Sequence, residues 1–399
     1  MQTQLDQKFS HIPEAKEVNS ILRACVHCGF CNATCPTYLI NGDELDGPRG
    51  RIYLLKQMFE GQDTSKTSYL HLDRCLTCRS CETTCPSGVR YGRLLDIGRS
   101  WMEQRQSRAA SKRVLRWLMV QVLRSPKLIS LVVRVGSVCR FWLPAKFQRQ
   151  IPEQCFKQEK VFSNHSRKML LLQGCVQPYL APTINAVTMK VFDSLNITLI
   201  PEEEGCCAAI NYHYAGQSEA ICQIKSNIDR WWSHIETGIE AFVSTASGCG
   251  VMVKEYGDIL RYDNAYAEKA RVISSKVKDI SEILSQEDLT SMARQKSLKI
   301  AFHSPCTLQH GQKINGVVEA ILKQLGHQLM PIADAHLCCG SAGIYSFLER
   351  KMANTLLHNK LTNLTKEPVD VIVTANIGCL IQLKSGTGFP VKHWIEMLV

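Results

Sequence analysis

The second half of this 399-residue chain is written twice. One copy begins "RKMLLLQGCVQPYLAPTINAVTMKVFDSLNITLIPEEEGCCAA" and the other "SLKIAFHSPCTLQHGQKINGVVEAILKQLGHQLMPIADAHLCCGSAG". Each opens with an apolar run that leads to a cysteine, Cys175 or Cys306. A segment of helical period and a second strand-like run follow, then an adjacent pair, Cys206–Cys207 or Cys338–Cys339. Further on, "AFVSTASGCGVMV" and "DVIVTANIGCLIQL" place Cys249 and Cys379 just beyond β-rich runs. Matched cysteines stay 130 to 132 residues apart. Strand–helix–strand order in a long repeat predicts two α/β domains with mostly parallel sheets. Ligands of such sheets sit at the carboxyl ends of the strands, where these cysteines fall.

The first hundred residues hold a second repetition. "CVHCGFCNATCP" (Cys25, Cys28, Cys31, Cys35) and "CLTCRSCETTCP" (Cys75, Cys78, Cys81, Cys85) both read C-x2-C-x2-C-x3-C-P. This is the spacing of two-cluster ferredoxins, in which three thiolates wrap one cubane and the fourth ligates the other. It assigns one [4Fe–4S] cluster to Cys25, Cys28, Cys31 and Cys85, and a second to Cys75, Cys78, Cys81 and Cys35. Structural zinc needs four ligands and seldom crowds three so closely. Between the runs, Ile52, Leu55 and Phe59 recur on a helical period. The loop "DELDGPRGR" offers Arg49 and Arg51, either as charges that favour reduced clusters or as an ordinary solvated turn.

Nineteen cysteines, and no charged start followed by an apolar block, point to reduced thiols used as ligands. The net charge of +11 is local: residues 101–150 hold eleven Lys/Arg against Glu103 alone, which supplies +10 and leaves about +1 elsewhere. That segment interleaves its cations with Leu, Val, Trp and Phe around a break near Pro126. The composition fits a membrane-surface anchor, a docking face for an acidic partner protein, or a hairpin packed on the ferredoxin-type part. No nucleic-acid-binding module accompanies the charge, and no stretch is apolar enough for a transmembrane helix.

The layout as a whole resembles the iron–sulfur subunit of bacterial glycolate oxidase. The resemblance lies in "ILRACVHCGFCNATCPTY", "GDELDGPRGRIYLLKQ", "TASGCG" with "VKEYG", "HLCCGSAG" and "VTANIGC". It implies a complex with FAD on a partner subunit that oxidises glycolate, or D-lactate, and electrons that cross two cubanes towards a membrane quinone or another acceptor. It also implies a peripheral position on the cytoplasmic side of the inner membrane. The alternatives are a thiol-based reductase subunit of the heterodisulfide-reductase type, with Cys338 and Cys339 as redox thiols, and an iron–sulfur subunit for glycerol-3-phosphate or lactate. A subunit that mainly bridges flavoprotein and membrane is a further reading.

Two departures bear on the paired cysteines. The first copy has Ala208 where the second has Gly340, and Met252 and Gln382 stand where relatives that hold a cluster often carry a last cysteine. Four thiols per domain remain: Cys306, Cys338, Cys339 and Cys379 are the stronger candidates for a further cluster, and Cys175, Cys206, Cys207 and Cys249 the weaker. A redox pair or an inherited scaffold are the competing readings. His303 and His213 lie near these loops, as metal ligands, proton donors to quinone or, more commonly, hydrogen-bonded structural residues. His27 is expected to face solvent. Cys139, Cys155 and Cys222 fit no cluster spacing.

The expected fold is α+β and multidomain. A helical two-cluster domain spans residues 1–100 and a basic helical segment 101–165. Two cysteine-rich α/β domains follow at 166–295 and 296–399.

Overall fold

The computed structural model describes residues 1–62, 65–105, 110–151, 164–203, 205–214, 216–292 and 296–399. The duplicated half builds two four-stranded sheets of one topology. In the first, β1 (Arg167–Leu172), β2 (Ile197–Pro201), β3 (Phe242–Ser244) and β4 (Val277–Asp279) run parallel in the order β2-β1-β3-β4. In the second, β5 (Lys299–His303), β6 (Gln328–Leu329), β7 (Val371–Thr374) and β8 (Val391–His393) run in the order β6-β5-β7-β8. Helices cover both faces of such sheets, which is why β1 and β7 read as continuous apolar runs rather than alternating ones.

Neighbouring side chains of a strand still part company. Leu171 joins Val243, Ile300, Phe302 and Val373 in one core shared by the two sheets. Leu170 instead enters a core private to the first domain, with Phe242, Trp231 and Tyr256. The same device closes both repeats. Asp279 after β4 and His393 after β8 each cap the next helical turn, and Glu282 and Glu396 return the bond to the cap residue's N–H.

The N-terminal part is helical. Helices Ala15–Ala24, Pro48–Phe59 and Tyr91–Arg105 pack through Leu22, Leu55, Phe59, Leu94 and Leu95, all fully buried. The basic segment forms a hairpin of helices Ala110–Arg124 and Pro126–Val138. Its break has a physical cause: the Ser125 hydroxyl accepts from Leu128 N–H, and Pro126 fills the first helical position, where no donor is needed. Val120, Ile129 and Val133 are buried, whereas Trp117, Leu131, Val138, Phe141 and Trp142 are exposed. Residues 106–109 and 152–163 of this segment, Cys155 among them, lie outside the described residues. Among the described residues no helix is long and apolar enough to cross a membrane.

Candidate iron–sulfur and cysteine sites

The two four-cysteine runs are built as copies offset by fifty residues. Each begins where a helix stops: Cys25 N–H donates to Leu22 O at 3.3 Å, and Cys75 N–H to Leu72 O at 3.3 Å. The backbone then turns left-handed at equivalent places, at His27 (φ 55°) and Gly29 (φ 85°) in one run, and Thr77 (φ 53°) and Arg79 (φ 61°) in the other. Three of these four are non-glycine residues, held in a region that such side chains seldom adopt. The turns fold each trio of cysteines into a loop around one space.

Neighbouring thiols sort the eight cysteines. Cys31 lies beside Cys25, Cys85 and Cys28, and burial together with those sulfurs pushes its thiol up to about 11. Cys81 faces Cys78, Cys75 and Cys35, and burial again raises it. Two cavities hold the sets. Cys25, Cys28, Cys31 and Cys85 line one, and Cys35, Cys75 and Cys78 the other, with Cys81 in the wall of both. The fourth cysteine of each run therefore stands with the trio of the other. A set of four sulfurs lining one space fits a cubane.

The loop arginines divide. Arg49 is half-buried and pairs with Glu44, whereas Arg51 is 1% exposed and sits in the interior. Its Nη1 lies 3.9 Å from Cys35 Sγ, and its Nε donates to His71 O at 2.7 Å. Asp46, fully buried, balances this charge with His71 and Arg74. Arg99, which spacing gave no means to single out, is also buried and donates to Leu72 O and Cys75 O. Arg51, like Arg79, lines the second cavity, and Arg99 is held on the Cys75 carbonyl behind it. His27 is half-buried, its Nε2 enclosed without a partner, and does not face solvent as expected.

In both cysteine-rich domains the four thiols converge. Cys175 and Cys207 donate towards Cys206, which their hydrogen bonds hold well below the ordinary thiol range, and Cys207 also meets Cys249. In the second domain Cys306 Sγ lies 3.9 Å from Cys338 Sγ, and Cys339 bridges Cys338 and Cys379. The second site has one more group. His303, the last residue of β5, is 2% exposed, and among the described residues neither ring nitrogen has a hydrogen-bond partner. A ligand atom from each of His303, Cys339 and Cys379 lies within 4.8 Å of the others. A buried imidazole without partners costs stability unless something else meets it. The equivalent end of β1 is Leu172.

The remaining candidates are structural. His213 Nδ1 pairs with buried Asp96 at 2.9 Å, joining the first cysteine-rich domain to the helical part. Cys139 and Cys222 are exposed, apart from either set. Met252 and Gln382 are both buried.

The second cavity and the second cysteine-rich domain abut. Cys78 and Cys306 are electrostatic neighbours, and both pack with Leu76, Cys338 and Tyr345 in one apolar cluster. Tyr345 Oη donates to Arg74 O at 3.1 Å across the same boundary.

Comparison with known proteins matches residues 21–89 to a 4Fe-4S dicluster domain, and residues 169–254 and 300–384 to a cysteine-rich domain. The glycolate oxidase iron-sulfur subunit of Escherichia coli K12 is 49% identical over 400 residues, covering 100% of this chain and 98% of its own length. The probable glycolate oxidase iron-sulfur subunit of Bacillus subtilis 168 is 29% identical, over 91% of this chain and 88% of its own. Lactate utilization protein A of Geobacillus sp. WCH70 is 25% identical over 246 residues, 58% of this chain and 98% of its own.

Proposed function

This chain belongs to the family of glycolate oxidase iron-sulfur subunits, and we propose that it carries electrons from a flavin-bearing partner subunit that oxidises glycolate to a membrane quinone. D-Lactate is the second substrate this reading admits for the partner. The carrying observation is the sorting of eight cysteines into two adjoining sets, with Cys81 in the wall between them. Cys25, Cys28, Cys31 and Cys85 hold one [4Fe–4S] cluster, and Cys35, Cys75, Cys78 and Cys81 hold the other. One-electron relay is the chemistry such clusters supply when bound. The chain's own contribution is to bury the sulfurs, set two loops by left-handed turns, line the second cavity with Arg51 and hold Arg99 on the Cys75 carbonyl. Positive charge there favours the reduced state.

Cys306, Cys338, Cys339 and Cys379, with His303 beside them, form a further cluster site in the second domain. Cys338 and Cys339 are 3% and 1% exposed, which favours ligation over exchange with a substrate disulfide. The basic hairpin rests on the membrane surface. The segment exposes Trp117, Phe141 and Trp142 and carries no acid from 104 to 151.

Cys28→Ser and Cys78→Ser test the reading in the assembled complex. Each should stop glycolate-driven reduction of quinone while glycolate still bleaches the flavin. Undiminished quinone reduction in both variants would return the chain to a scaffolding role.

A further inference from the structure

A cavity of about 180 Å³ lies at the foot of the basic hairpin, away from the two four-cysteine runs. Ile151, Leu180 and Leu380 supply apolar walls, and Arg149, Gln150 and Lys384 supply donors. Ile151 packs onto the hairpin itself, its Cδ1 so close to Gly136 that any side chain there would meet it at 2.9 Å. Leu380 and Lys384 stand on helix Ile377–Gly386, whose first turn carries Cys379. The space is somewhat larger than the roughly 150 Å³ that takes a benzene ring in an engineered core.

The polar groups are available. The side chains of Arg149, Gln150 and Lys384 make no hydrogen bond or ion pair among the described residues. Glu396, on the same wall, is committed: it accepts from the Thr183 hydroxyl at 2.7 Å and from His393 N–H at 2.8 Å. A flat, uncharged ring with two carbonyl acceptors suits apolar walls with cationic donors. A phosphate would meet the Glu396 carboxylate in the same small space.

We propose that this cavity binds the headgroup of a lipid-soluble quinone, with Lys384 and Arg149 hydrogen-bonded to its carbonyl oxygens. The site rests on quinone being the acceptor, as proposed for the chain's function, and adds its place. The exposed apolar side of the hairpin brings the cavity to the lipid in which such a quinone dissolves. Cys379 adjoins the cavity through Leu380, and its thiol set reaches Cys306 and so Cys78. Reduction is balanced by two electrons from hydroxy-acid oxidation, delivered singly, and two protons from solvent. The ring's two C=O groups become C–OH.

The test uses the complete complex with a short-chain ubiquinone analogue, a flavin-accepting dye as control, and an azido-quinone as a binding probe. In K384M and R149Q the KM for quinone should rise about tenfold, the size of one charged hydrogen bond. Dye reduction and iron content should stay at wild-type values. The azido probe should label peptides containing 149–151 or 377–386 in the wild type and lose that labelling in the double variant. Quinone kinetics and labelling unchanged in the double variant would overturn the site while leaving quinone as acceptor. A wild-type complex that reduces the dye and never quinone would overturn both.

Discussion

Ala208 holds a backbone φ of +69°, in register with Gly340 at +83° in the sister repeat. The first copy has lost the glycine but kept the turn. Left-handed geometry costs a residue with a Cβ about 1 kcal/mol, partly offset by the greater freedom of glycine in the unfolded chain. Space explains why only one copy tolerates the change. A Cβ on Gly340 would meet Ala353 O at 2.7 Å and Leu356 Cβ at 3.0 Å. Ala208→Gly is therefore expected to be neutral or to raise Tm by a degree or two, and Gly340→Ala to lower it by several. Thermal unfolding of the two variants checks the pair.

Asp279 gives a pH dependence of definite sign. Burial, opposed by hydrogen bonds from the Ser281 hydroxyl and N–H, pushes its carboxyl up to about 6. An acid whose native pKa is raised destabilises the fold above that value, and the cost disappears as pH falls towards its ordinary range near 4. Asp279→Asn keeps the cap and removes the charge, so it should stabilise by up to about 3 kcal/mol at pH 8. Below about pH 4 the two proteins should melt together. A stabilisation that persisted at low pH would mean that the gain does not come from removing the buried charge.

His303 separates the two cysteine-rich domains. Replacing it with Leu reproduces Leu172 of the first domain and suits a buried strand end. The variant should fold and lose the second-domain cluster, a fall of about four iron atoms per chain. Unchanged iron would show that the imidazole takes no part in binding.

The duplicated architecture was legible in the sequence because a parallel sheet covered on both faces demands uninterrupted apolar runs, and "RKMLLL" and "VIVT" supply them. The cysteine spacing proposes two sets of four, and the cavities place Cys85 with the first trio and Cys35 with Cys75 and Cys78. Three things were hidden. The core shared by Leu171 and Phe302 depends on how two domains dock, which no local period encodes. The burial of Arg51 depends on Asp46, His71 and Arg74, which come from different elements, so "GPRGR" alone reads equally as a solvated turn. The unpartnered state of His303 depends on what does not surround it, and that is visible only in three dimensions.

The hairpin gives a prediction on binding alone. Phe141 and Trp142 are 96% and 91% exposed, so replacing both with Ser should leave stability within about 0.5 kcal/mol. Sedimentation with vesicles containing anionic phosphatidylglycerol should nevertheless weaken at least tenfold, since each ring buries apolar area worth about 1.5–3 kcal/mol in lipid. Equal binding to purely zwitterionic vesicles would remove the role of the basic rim.

The fourth cysteine of each run lines the cavity of the other run's trio, so the two proposed clusters exchange a ligand, and EPR of the reduced protein tests this most directly. Cys85→Ser should abolish or alter the same signal as Cys28→Ser, and Cys35→Ser the same signal as Cys78→Ser. Anaerobically purified wild-type protein should carry about twelve iron atoms per chain. If Cys85→Ser instead perturbed the signal lost in Cys78→Ser, each run would hold its own cluster and the exchange would be contradicted.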